Sequence, residues 1–170
     1  MQTIEKKSSL FNRMLIAIVS LLVIAAIAIS FRLAFPEGKT IFAGQRPTNL
    51  GIQSGQLAPC PSSPNCVSSF SQTTEHKIEP LTYNSTPAEV MAKLKKVIQS
   101  LERTKIITET DNYLYAEFTS ALMGFVDDVE FLLDEGKKVI QVRSASRLGD
   151  SDFGVNRQRI ETIRINLNKI

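Results

Sequence analysis

The sequence predicts an α+β fold: an antiparallel sheet of about four to five strands with two amphipathic helices on one face, preceded by one N-terminal transmembrane helix. Three observations carry this. An uninterrupted apolar run lies near the N-terminus, residues with helical periodicity flank the C-terminal half on both sides, and between them the hydrophobic period drops to two.

The apolar run spans residues 14–31, eighteen positions without a charge. At 1.5 Å per residue that covers most of a hydrocarbon core of about 30 Å. Arg32 can snorkel, so residues 33–35 extend it slightly. Lys6, Lys7 and Arg13 precede the run against the single Glu5, which keeps residues 1–13 cytoplasmic and sends residues 36–170 across the membrane. A retained anchor at 14–35 fits better than a cleaved signal peptide, whose apolar region is shorter, although Ala26-Ile27-Ala28 has the small residues of a cleavage site. A buried core helix fits worse still, because the segment is apolar all round and a Pro/Gly-rich stretch follows it. Pro59 before Cys60, far beyond the apolar run, rules out a lipoprotein box.

Residues 36–77 read as a linker or collar, with five prolines, four glycines and no sustained period. The collar holds the only cysteines, Cys60 and Cys66. In an oxidising compartment their spacing, with Pro61 and Pro64 between them, allows a disulfide. A metal site would need more Cys or His ligands nearby, and the only histidine is His76. No metal and no cofactor is expected.

The domain proper is expected over residues 78–170. Thr86-Pro87-Ala88-Glu89 is a capping box with proline at the first helical position. Val90, Leu94, Val97, Ile98 and Leu101 then repeat at helical spacing to about Arg103. The same start makes Asn84-Ser85-Thr86 a turn in preference to a glycosylation site. Residues 105–110 and 113–119 alternate as strands around an Asp111-Asn112 turn, with Leu114, Ala116 and Phe118 on one face and Tyr113, Tyr115 and Glu117 on the other. Residues 126–133 and 138–145 form a second hairpin, in which Gly136 is expected to supply a positive φ. From Val155 onward Ile160, Ile163, Leu167 and Ile170 share a helical stripe.

The charge balance bounds the function. Residues 36–170 carry sixteen Lys+Arg and sixteen Asp+Glu, so the exported part lacks the basic excess that nucleic acid demands. The densest polar cluster is the loop over residues 143–159, where a strand end, glycines and a helix N-terminus meet. Arg143, Ser144, Ser146, Arg147, Asp152, Asn156 and Arg157 are the candidate binding residues; backbone N–H groups at the helix start, together with these arginines, could receive a carboxylate or phosphate. The competing reading is structural: Asp152 or Ser151 caps the helix, and the arginines pair across strands with Asp128 or Glu130.

Three segments, Pro59-Cys60-Pro61-Ser62-Ser63-Pro64-Asn65-Cys66-Val67-Ser68-Ser69, Gly124-Phe125-Val126-Asp127-Asp128-Val129-Glu130-Phe131, and Arg143-Ser144-Ala145-Ser146-Arg147 through Gly154-Val155-Asn156-Arg157, resemble the domain-of-unknown-function family fourteen-ninety-nine. The resemblance covers roughly residues 41–170. Arg46-Pro47-Thr48-Asn49-Leu50-Gly51 is similar to the form in photosynthetic bacteria and plastids, which implies a periplasm or thylakoid lumen. It implies no activity. Two function classes therefore stand: a non-enzymatic accessory module of a membrane complex or binder of a small anionic ligand, and a hydrolase with Ser144, Ser146 or Ser151 as nucleophile and Asp127, Asp128 or Asp152 orienting a base. A hard-cation variant through these aspartates is disfavoured, because neighbouring residues on a strand point to opposite faces.

Overall fold

The computed structural model describes residues 2–34 and 42–170. The first part is one helix, α1 (Gln2–Ala34). Within it Asn12–Ser30 is a 19-residue stretch of mean hydropathy 2.5, long and apolar enough to cross a membrane and with none of its residues buried. Residues 35–41, the last position of the expected anchor and the opening of the expected collar, lie outside the described residues.

The second part is an antiparallel six-stranded sheet with two helices. In chain order it contains β1 (Cys66–Ser68), β2 (Leu81–Thr82), α2 (Pro87–Ser100), β3 (Thr104–Glu109), β4 (Tyr113–Thr119), β5 (Val126–Asp134), β6 (Val139–Ser146) and α3 (Val155–Leu167). The strand order is β1-β6-β5-β4-β3, with β2 also pairing to β6.

Helix α2 starts as its capping box dictates. Thr86 Oγ1 accepts from the Glu89 N–H at 3.3 Å, and Glu89 Oε2 accepts from the Thr86 N–H at 2.9 Å. Val90, Met91, Leu94, Val97 and Ile98 are buried. The helix stops at Ser100, short of the expected Arg103, because Leu101 is already extended and Arg103 takes a φ of +55°. In the β5–β6 turn Lys138, at φ +53°, adopts the left-handed conformation expected of Gly136.

Helices α2 and α3 cover the same face of the sheet. Leu114, Phe131 and Val142 lie side by side across β4, β5 and β6, and all three are fully buried beneath the helices with Leu94, Ile98, Ile160 and Ile163. Ile170 departs from the expected stripe: it lies beyond the end of α3 and is exposed.

The expected linker is part of the domain. Its residues 42–77 include β1 and run over the sheet face opposite the helices, where Leu57 packs with Tyr113, Tyr115 and Leu132, flanked by Leu50 and Phe70. Cys60 and Cys66 are disulfide-bonded, with Cα atoms 5.7 Å apart, which ties this segment to β1. Strands β4, β5 and β6 are therefore covered on both faces, while the edge strand β3 stays partly exposed. One side is apolar under the helices, and the other carries charged side chains under the collar.

Candidate functional site

The side chains of the sheet alternate, so Tyr113, Tyr115 and Glu117 of β4 face the same way as Asp128 and Glu130 of β5 and Arg143 of β6. Glu130 is directly opposite Arg143, whereas Arg147 lies two residues beyond Ala145, the partner of Asp128. Arg147 reaches Asp128 diagonally, and the fork of its guanidinium suits that geometry. Its Nε donates to Asp128 Oδ2 at 2.9 Å, and its Nη2 donates to Asp128 Oδ1 at 2.7 Å and to Glu117. Arg46, from the collar, donates to the same Glu117 oxygen at 2.6 Å.

Tyr115 donates its hydroxyl to Asp128 at 2.6 Å. One strand pair along, Tyr113 donates to Glu130 Oε1 at 2.8 Å, and the Gly51 N–H donates to the same oxygen at 2.7 Å. Gly51 holds a φ of +102°, so glycine is the residue that lets the collar present its N–H to this buried carboxylate. Arg143 Nη1 donates to Glu130 Oε2 at 3.3 Å, while its Nε is buried without a hydrogen-bond partner among the described residues. Three carboxylates (Glu117, Asp128, Glu130) thus oppose three guanidiniums (Arg46, Arg143, Arg147), and the layer is neutral as a unit.

Burial and pairing pull the protonation equilibria in opposite directions. Burial works against the charge of Arg147, but hydrogen bonds to Asp128 and Glu117 outweigh it and hold the guanidinium further toward its charged form. Burial likewise opposes the Glu117 carboxylate, and bonds from Arg147 and Arg46 win, lowering its pKa below the usual value. Tyr113 is raised by burial and then by the Glu130 charge; Tyr115 is raised by burial and then by its bond to Asp128.

A pH dependence follows. A phenol whose pKa is raised on folding contributes stability that is complete below its unfolded value near 10 and is lost as pH rises towards the folded value. Stability is expected to fall above about pH 10, and the phenolates of Tyr113 and Tyr115 should appear together with the loss of native circular dichroism. Titration of both tyrosines in still-folded protein would contradict their burial in this layer.

A second polar cluster faces α3. Asn156, fully buried, donates from Nδ2 to the Asn65 carbonyl at 3.0 Å and to Ser146 Oγ at 2.9 Å, and it accepts from Ser144 Oγ. Arg159 donates to Ser144 Oγ at 3.0 Å and pairs with Asp127. Asp152 holds the start of α3, accepting from the Gly154 N–H at 3.0 Å and the Asn156 N–H at 2.7 Å. Arg157 donates to the carbonyls of Lys77 and Glu75 at 2.8 and 2.9 Å.

The residues singled out in the sequence therefore divide between the two sides of the sheet. Arg143 and Arg147 lie under the collar, Ser144, Ser146, Asp152 and Asn156 meet at α3, and Arg157 holds the segment leading into β2. Asp127 and Asp128 face opposite ways, as alternation requires. Arg46, Asn65, Tyr113, Tyr115 and Glu117 complete the networks without having been candidates. The tyrosines and Glu117 sit on the expected outer face of their strand, but Arg46 is 71 residues from its partner Glu117, and no periodic signal reports that pairing.

No curated protein matches the chain. The model of the family described as "Protein of unknown function (DUF1499)" matches residues 56–167, which include the second half of the collar, the whole sheet and both domain helices, and the chain belongs to that family.

Proposed function

We propose that this protein is a non-enzymatic module, tethered to a membrane by α1 and displayed on the non-cytoplasmic side, that serves a membrane complex or holds a small anionic ligand. Its membrane address rests on the apolar stretch Asn12–Ser30. The cationic residues Lys6, Lys7 and Arg13 before that stretch and the Cys60–Cys66 disulfide support export to an oxidising compartment such as a periplasm or thylakoid lumen.

The observation that carries the non-enzymatic reading is the state of Ser144 and Ser146 at the end of β6. Ser144 Oγ donates to the amide oxygen of Asn156, and Ser146 Oγ accepts from the amide nitrogen of the same residue. An amide cannot take a proton from a nucleophile, so neither contact activates the hydroxyl as the alternative hydrolase reading requires. The accessory role is the better supported of the two binding roles, since Arg147, Asp152, Asn156 and Arg157 already direct their hydrogen bonds into the domain. A small anion finds its best support in Arg143, whose buried Nε has no acceptor among the described residues.

Complementation of a deletion strain by the full chain carrying Ser146→Ala or Ser151→Ala tests this directly. Both variants are expected to rescue. A folded Ser146→Ala or Ser151→Ala protein that fails to rescue would favour the hydrolase, and a tagged wild-type protein that always migrates alone after mild detergent extraction would count against the accessory role.

A further inference from the structure

The two ends of the sheet differ in chemistry. At one end lie the β3–β4 and β5–β6 turns, next to each other because the Leu133 N–H donates to the Asn112 carbonyl at 2.8 Å. These turns carry Asp111, Asp134, Glu135, Lys137 and Lys138. At the other end lie the β4–β5 loop and the β6–α3 loop. The first is closed by the Ser120 N–H donating to the Phe125 carbonyl at 2.8 Å, and the second starts beside it, where the Arg147 N–H donates to the Val126 carbonyl at 3.1 Å. Here the tips are apolar: Leu122 is 92% exposed, Phe153 is 96% exposed, and Met123 and Leu148 are also on the surface.

Single exposed apolar side chains are ordinary on a protein surface. The gathering of four on adjacent loops at one end, with charged turns at the other, is not. Phe153 adds a second signal, since it combines full exposure with a φ of +54°, a conformation that a bulky residue adopts at a cost in strain. At 96% exposure its side chain gains little packing among the described residues to offset that cost.

The same end receives the chain from α1. Phe42 packs at a tilt against Phe125 with ring centroids 5.3 Å apart, and Gly44 lies so close to the β6–α3 loop that an added Cβ would sit 2.9 Å from Arg147 Cβ and 3.1 Å from Leu148 Cγ. Residues 35–41 are all the chain that separates α1 from Phe42, and fully extended they bridge at most about 28 Å. Strand β5, nine residues long, puts the charged turns roughly 26 Å further along the sheet.

We propose that the apolar end is a lipid-docking edge, with Leu122, Met123, Leu148 and Phe153 lying in the interfacial layer of the bilayer that α1 crosses. The inference rests on the reading that α1 is a membrane anchor. Segments 120–125 and 148–154 contain no Lys or Arg, and Asp150 and Asp152 lie in the second. Docking is therefore driven by apolar burial, not by attraction to anionic headgroups, and it is insensitive to salt. Exposed Glu102 and Arg103, beside the start of β3, share this end and limit insertion to the headgroup boundary.

The chain contains no tryptophan, so one introduced residue reports its own surroundings. The full chain carrying Leu122→Trp, Phe153→Trp, Ile52→Trp or Ile24→Trp is reconstituted into phosphatidylcholine vesicles with or without brominated acyl chains. Ile52, exposed and beside the charged turns, is the distant control, and Ile24 reports whether α1 is in the bilayer. Leu122→Trp and Phe153→Trp are expected to show blue-shifted emission and to lose intensity in brominated vesicles at low and high salt alike, with Ile24→Trp quenched and Ile52→Trp unaffected. Quenching at Ile24→Trp alone would overturn the docking edge while leaving the anchor intact. No quenching even at Ile24→Trp would overturn the anchor and the docking edge together. A blue shift at Leu122→Trp and Phe153→Trp without bromine quenching would mean that protein, a second copy or another chain, covers the edge, and would overturn lipid as its occupant.

Discussion

Replacing Asp128 by alanine is expected to cost the domain about 3 to 5 kcal/mol of unfolding free energy, the loss typical of removing one member of a buried ion pair. The carboxylate is 1% exposed and its partner guanidinium 7%. Three Arg147 bonds end on Asp128, and so does the Tyr115 hydroxyl. Alanine would leave a cation and a phenol under the collar with only Glu117 to answer them. The damage comes from the stranded partner, so the double variant Asp128→Leu/Arg147→Met should regain much of the loss. Urea denaturation checks both statements. Glu109→Ala is the comparator: it removes the exposed Lys95–Glu109 pair and should change stability by no more than about 1 kcal/mol.

On the opposite face, Phe131→Ala should be as costly, about 3 to 5 kcal/mol, because a buried aromatic is exchanged for a cavity. Phe131 sits at the middle of the central strand, with Leu114 on one side and Val142 on the other, and all three are 0% exposed. Both α2 and α3 close over this row, which leaves the surroundings little room to collapse into the void. Phe131→Leu keeps part of the volume and should lose measurably less. Equal losses for alanine and leucine would show that the row is not packed as described.

These two sites also mark what the sequence disclosed. The apolar face of β4 is legible because Leu114, Ala116 and Phe118 alternate with polar neighbours, and because the apolar stripes of α2 and α3 demand an apolar face to cover; Phe131 joins that face through the pairing of β5 with β4. The strands β3 to β6 begin and end within one residue of the expected positions for the same reason. The pairing of Glu130 with Arg143 was available as a cross-strand possibility once a hairpin was drawn around residues 134–137. What alternation could not show is that the charged face is also buried. That depends on the collar, whose strand β1 is three residues long and whose covering residues Leu50, Gly51 and Leu57 follow no period. A proline- and glycine-rich segment held by one disulfide, isolated backbone donors and long-range contacts has the local composition of a linker. Arg46 and Asn65 were invisible for the same reason, because their roles exist only after residues far apart in the chain meet.

In the candidate loop, the concentration of donors near a helix start is visible in the sequence, but the direction in which they point is not. Asp152 takes the N–H groups of Gly154 and Asn156 that an external anion would have used. Asn156 then ties Ser144, Ser146 and the Asn65 carbonyl into one buried knot. The arginines of this region direct the hydrogen bonds they make into the fold, which makes their first role structural.

The most direct test of that claim is the thermal unfolding of Arg147→Ala, measured beside its ability to rescue a deletion strain. The account predicts a large drop in melting temperature, with any loss of function matching the loss of folded protein. A variant that melts like the wild type yet fails to rescue would contradict it, and would make Arg147 a contact for a ligand or partner.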